Sequence, residues 1–201
     1  STGSGKSTQI VFPMIRLLAK KGESMIITDP KGEIYTKTSE NLKKRGYKII
    51  VLNFRDPQKG NSWNPLGMPY TYYKNGNHDK AVELLDDVAQ NILYDPKNNA
   101  EPFWEKTAAD YFSGLALGLF EDGKELEVNL NSINYMATVG DERYAGTSNY
   151  IKEYFNLKGP THDATTFASA TVNAPNDTKG SILSTFRQKI RMFTTRENLS
   201  E

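Results

Sequence analysis

The sequence predicts an α/β segment followed by an all-helical one in a chain of 201 residues. Three observations carry this reading. The first eight residues, Ser1-Thr2-Gly3-Ser4-Gly5-Lys6-Ser7-Thr8, fit all but the first glycine of the phosphate-loop pattern G-x-x-x-x-G-K-[ST], which opens a helix. Two short apolar runs, 24–28 and 49–54, flank a helical stretch; that order requires a right-handed crossover and a parallel sheet. After residue 77 the apolar period changes from two to 3.6 and keeps that value, which places a boundary between a first domain, 1–76, and a helical one, 77–201.

Element by element, Ile10, Met14, Leu17 and Leu18 stand at helical spacing, so 7–21 reads as a helix ending at Gly22, after Lys20 and Lys21. The run 24–28 lacks polar alternation, the mark of a strand buried on both faces, and it ends at Asp29-Pro30-Lys31-Gly32-Glu33. A helix over about 33–45 leads through Gly46 to the second run. Residues 55–77, rich in Gly, Pro and Asn, read as a loop pinned by one buried aromatic in Trp63-Asn64-Pro65-Leu66. Beyond it, Ala81, Leu85, Val88 and Ile92 form one helical stripe, and Trp104, Ala108, Tyr111, Phe112, Leu115 and Leu119 form a stronger one. Gly114 and Gly118, one turn apart on that helix, point to close helix–helix contact. Asn129 or Asn131 is placed to cap the next helix and Ser148 the one after. Two more are expected, over 163–172 and from near Thr178, the latter with Ile182, Phe186, Ile190 and Phe193 on one face.

The chemistry concentrates at the first eight residues. Gly3 and Gly5 allow the backbone to bend so that successive N–H groups face phosphate oxygens, with Thr2 and Ser4 between and before them. Lys6 then reaches the β- and γ-phosphates, Ser7 offers a hydroxyl to Mg²⁺, and Thr8 adds one near the α-phosphate. The helix that starts here turns the positive end of its dipole toward the anion. A Gly/Ser-rich terminus is otherwise a flexible tail, but a lysine set between Gly5 and Ser7, with a helix following at once, favours the loop. The strand that ordinarily leads into such a loop would precede Ser1, so the chain is expected to be a fragment. Asp29 resembles the Mg²⁺-binding aspartate of phosphate-loop enzymes, yet no acidic residue follows it, and a residue that caps the next helix is the stronger reading. His78 and His162 lie far apart in sequence and suggest no metal site. Tyr70, Tyr72 and Tyr73 have only Lys74 beside them and read as packing residues rather than a platform for bases.

With no cysteine, a disulfide framework and thiolate metal sites are excluded. The longest apolar run, 111–120, is far shorter than the ~20 residues a membrane helix needs. The net charge of +1 hides an asymmetry. Residues 1–60 carry twelve bases against five acids, and residues 101–163 carry five against eleven. Glu121, Asp122, Glu125 and Glu127 crowd together in the acidic part and mark a surface for a basic protein partner, since affinity for DNA rests on Lys and Arg neutralising phosphates.

Thr2-Gly3-Ser4-Gly5-Lys6-Ser7, the run ending in Asp29-Pro30-Lys31-Gly32-Glu33, Asn64-Pro65-Leu66, Phe103-Trp104 opening a long helix, and Ser181 with Ser184-Thr185 in a late one together resemble the type IV coupling proteins of conjugative transfer and type IV secretion. The resemblance spans nearly the whole chain. It implies a partial RecA-like nucleotide-binding domain interrupted by an all-helical domain. It further implies ATP and Mg²⁺ as cofactors, a homohexameric ATPase anchored at the cytoplasmic face of the bacterial membrane, and delivery of DNA with its relaxosome proteins, or of effectors, to a secretion channel. The family's anchor and its hydrolytic Asp-Glu pair are not in this sequence, so these 201 residues are expected to be soluble, inactive alone and possible as a monomer. Two other readings stand beside it. A small nucleotide-kinase-like phosphotransferase would need a lid of arginines, for which Arg187, Arg191 and Arg196 are the one cluster. A protein-binding module with a vestigial loop would need none.

Overall fold

Helices dominate the computed structural model of the chain, which describes residues 7–97, 102–146 and 148–194. Two compact units divide at residue 51, Ser1–Val51 and Leu52–Glu201.

In the first unit a π-type turn, Ser7–Val11, runs into α1 (Phe12–Lys21). Pro13 sits in the first turn of α1, where a backbone N–H has no intrahelical partner to lose. The helix stops at Gly22, whose φ of 73° is left-handed and whose N–H returns to the Leu18 carbonyl, the stop expected from sequence. A second helix, α2 (Glu33–Lys44), follows Gly32 and carries Ile34 and Leu42 on its inner face. These two join Ile15 in a small core, with Val11, Phe12, Ala19, Met25, Tyr47 and Ile49 packed against it.

The parallel sheet expected here is not seen among the described residues. Neither 24–28 nor 49–54 forms a strand. Nor are the runs buried on both faces: Met25 and Ile49 pack on the core, whereas Ile26 and Ile50 are exposed. An apolar run without polar alternation is compatible with two covered faces but does not supply the layers that cover them.

The second unit begins with the segment read as a loop. It contains α3 (Gly67–Lys74), which tolerates Pro69 because the proline lies in the first turn. The pin is not an aromatic. Trp63 is 42% exposed, while Leu66 is fully buried and Asn64 donates to the Val128 carbonyl. This anchoring places 52–76 in the second unit, although the apolar period changes only near 77.

Six helices follow. These are α4 (His78–Leu93), α5 (Pro102–Asp122), α6 (Leu130–Val139), α7 (Tyr150–Lys158), α8 (Asp163–Val172) and α9 (Asn176–Thr194). Between α6 and α7 lies an antiparallel pair, β1 (Arg143–Ala145) and β2 (Ser148–Asn149), which periodicity did not foretell. The centre is α5, buried from Thr107 to Phe120 except at the partly exposed Asp110, and flanked by α4, α8 and α9. Burial of Phe112, Phe120 and Phe186 is worth roughly 1.5–3 kcal/mol each. Trp104, first in the predicted stripe, is only half-buried, so the anchors of α5 start a turn later. No helix among the described residues is long and apolar enough to cross a membrane.

Candidate functional site

Of the phosphate-loop residues, Thr2, Gly3, Ser4, Gly5 and Lys6 lie outside the described residues, as does Arg196. Ser7 and Thr8 fall in the helical turn that leads into α1. Asp29 acts within the fold as a tether. Its Oδ2 accepts the Tyr35 N–H at 2.9 Å, tying the tip of the run 24–28 to the first turn of α2. A carboxylate is favoured there by the positive end of the helix dipole. Between α1 and α2 lies a small cavity of about 230 Å³ with Phe12, Ile15 and Leu42 inside and three cations, Arg16, Lys37 and Arg45, at its wall. Lys37 reaches over the Phe12 ring, 5.4 Å from its centroid. Among the described residues no group of three His, Asp or Glu could hold a metal ion.

The acidic cluster is organised differently from its appearance in sequence. Glu121 and Asp122, at the end of α5, both pair with the Lys158 ammonium at 2.8 Å. His162 Nε2 lies 2.9 Å from the same Glu121 carboxylate, and the Tyr154 hydroxyl donates to Asp122 at 2.6 Å. The hydrogen bond from Lys158 holds Glu121 below the usual carboxylate range. At Asp122, burial pushes upward but the bonds from Lys158 and Tyr154 outweigh it, so its carboxyl is also held low. Burial alone would lower Lys158, yet its two carboxylates raise it. Glu127 closes a different loop, its Oε2 accepting the Lys124 N–H at 2.8 Å. Glu125 is exposed. Two of the four charges read as a partner surface are therefore already engaged within the fold, sharing one ammonium that offsets one of them.

Sequence reading missed this pairing, because Lys158 and His162 stand some 40 residues from the acids they meet. Helix caps were easier to foresee. Asn129 caps α6 by accepting from Ser132 N, but Asn149, not Ser148, caps α7 by accepting from Lys152 N. His162 caps α8, its Nδ1 accepting from Ala164 N at 3.2 Å. Tyr70 and Tyr73 pack on Phe120, at 5.5 and 5.7 Å between ring centroids.

Comparison with known proteins places the chain. The family model described as type IV secretory system conjugative DNA transfer matches residues 1–199. The chain belongs to that family, and its role lies in conjugative DNA transfer through a type IV secretory system. A search of curated proteins and one of solved structures returned no match.

Proposed function

We propose that this chain is the nucleotide-cradling and substrate-recognising part of a conjugative coupling ATPase. The observation that carries the reading is the match of the conjugative-transfer family across residues 1–199 of a chain whose first eight residues hold Gly5-Lys6-Ser7. In this reading Thr2, Gly3, Ser4 and Gly5 cradle the phosphates of ATP through backbone N–H groups, Ser7 holds Mg²⁺ and Thr8 adds a hydroxyl. Lys6 meets the charge that develops on the γ-phosphate. The helical unit meets relaxosome or effector proteins and passes substrate toward the channel, and the intact ATPase works as a hexamer at the cytoplasmic face of the membrane. Of its acidic residues, Glu125 offers an uncommitted charge to a basic partner; Glu121 and Asp122 contribute only what Lys158 leaves.

Lys6→Ala in a protein carrying this stretch with a complete motor domain tests the nucleotide role. ATP hydrolysis is expected to fall to background, because phosphoryl transfer is catalysed almost wholly by positioning and charge stabilisation. Undiminished turnover would rule the role out.

A further inference from the structure

A polar cavity of about 450 Å³ opens in the second unit where β1, β2, the start of α7, the end of α8 and the first turns of α9 meet. Four cations, Arg143, Lys152, Lys179 and Arg187, line it with one carboxylate, Asp141. Asp141 is committed: Lys179 Nζ sits 2.6 Å from its Oδ1, and Asn149 Nδ2 donates to the same oxygen at 3.1 Å. Arg143, Lys152 and Arg187 form no ion pair among the described residues. Three like charges thus share one concave wall, and an anion placed among them would relieve their repulsion. The buried Tyr111 hydroxyl, which makes no hydrogen bond, lies within the field of two lining residues, Asp141 and Arg187.

We propose that this cavity binds a protein partner through one or two carboxylates on a short acidic segment. Arginine suits such a ligand, since its planar fork meets a carboxylate with two parallel hydrogen bonds. A nucleic-acid strand fits less well. It carries a phosphate at every nucleotide and would have to lay successive charges past Glu142 and Asp177, each next in the chain to a lining residue and each exposed. A peptide can seat its carboxylates in the cavity and leave uncharged neighbours outside. Tyr144 and Tyr150, exposed and stacked at 4.9 Å, stand next in the chain to Arg143 and Asn149 and supply the aromatic contact common at protein interfaces. This surface is distinct from the acidic end of α5 and opposite to it in sign. Its test therefore reads nothing of the nucleotide role or of the acidic surface.

The test titrates the full chain against a fluorescein-labelled peptide with a Glu-Glu pair between glycines, and in parallel against a labelled oligothymidylate. Salt is set at about 0.15 M, where exposed charges act over only ~8 Å. Saturable peptide binding is expected, weakened about tenfold or more by Arg143→Gln with Arg187→Gln, the loss of one charge-assisted hydrogen bond or more. Both arginines are exposed, so the fold does not depend on them, and an unchanged melting curve verifies that. The charge-matched control, Lys20→Gln with Lys43→Gln, should leave the affinity as it was. The proposal is overturned by absence of saturable peptide binding, by an equal loss in the control, or by the oligothymidylate binding more tightly than the peptide through the same arginines.

Discussion

Lys158 shows how a single side chain changes the meaning of a charge cluster. Read along the chain, Glu121 and Asp122 are free acids at a helix end; in space they share one largely buried ammonium. The sign of the pH dependence follows from the shifts. Both carboxylates are held below their usual range when folded, so they favour the folded state above that range and cease to do so as pH falls through their folded values. Lys158 is held above its usual value, so its contribution is present below that value and is lost as pH rises through the raised one. The cluster is thus fully formed at neutral pH. Lys158→Met is expected to cost about 1 kcal/mol at pH 7, a modest figure because Glu121 and Asp122 are 42% and 52% exposed and solvent screens the pairs. The cost should shrink in acid below about pH 4, where carboxylates protonate. Urea unfolding of both proteins at the two pH values measures it. An equal cost in acid would assign the effect to packing of the lysine stem.

Among the elements, α5 and α8 meet most closely, and glycine makes the approach possible. A Cβ on Gly114 would stand 2.7 Å from the Ala164 carbonyl oxygen and 2.8 Å from the Ala168 Cβ. Neither atom is the end of a flexible chain. Gly114→Ala should therefore force the helices apart and destabilise the unit by about 1–3 kcal/mol, the usual cost of overpacking, despite alanine's better helix propensity. A chemical-denaturation midpoint that stays or rises would show that α8 yields without loss. This contact was legible in sequence, since two glycines one turn apart on a strongly apolar helix have few other uses. The amphipathic helices of the second unit were legible as well, because 3.6-residue periodicity reports which side is buried, whereas in α1 the predicted stripe of Ile10, Met14 and Leu17 is exposed and Ile15 is the buried residue. The helix α3 was not: Gly67 and Pro69 look like loop punctuation unless Pro69 is known to fall in a first turn. The β1–β2 pair, of three and two residues, is too short to show a period at all. The runs 24–28 and 49–54 failed in the other direction. Their composition suits strands, yet a strand exists only with a neighbour to share its hydrogen bonds, and no local pattern reports that neighbour.

At the scale of the whole chain, the two units differ in what holds them. The core of residues 7–51 consists of Ile15, Ile34 and Leu42 with partly buried neighbours, while Ile10, Met14, Leu17, Ile26 and Ile50 remain exposed. The second unit closes around α5 with Tyr111, Phe112, Phe120, Phe155 and Phe186 almost wholly out of water. Because a chain of about 50 residues buries a smaller fraction of its surface than one three times longer, the first unit has less apolar burial to set against its conformational entropy. Local opening should accordingly be far easier in α1 and α2 than in α5. Hydrogen exchange followed by mass spectrometry is expected to show amides of 12–21 and 33–44 exchanging orders of magnitude faster than those of 107–120, with the latter protected up to the free energy of global unfolding. Mg-ATP bound at the phosphate loop should slow exchange in α1 first, since ligand that binds only the folded state stabilises it by mass action. Equal protection of α1 and α5 without nucleotide would mean that the first unit draws stability from something other than its own core.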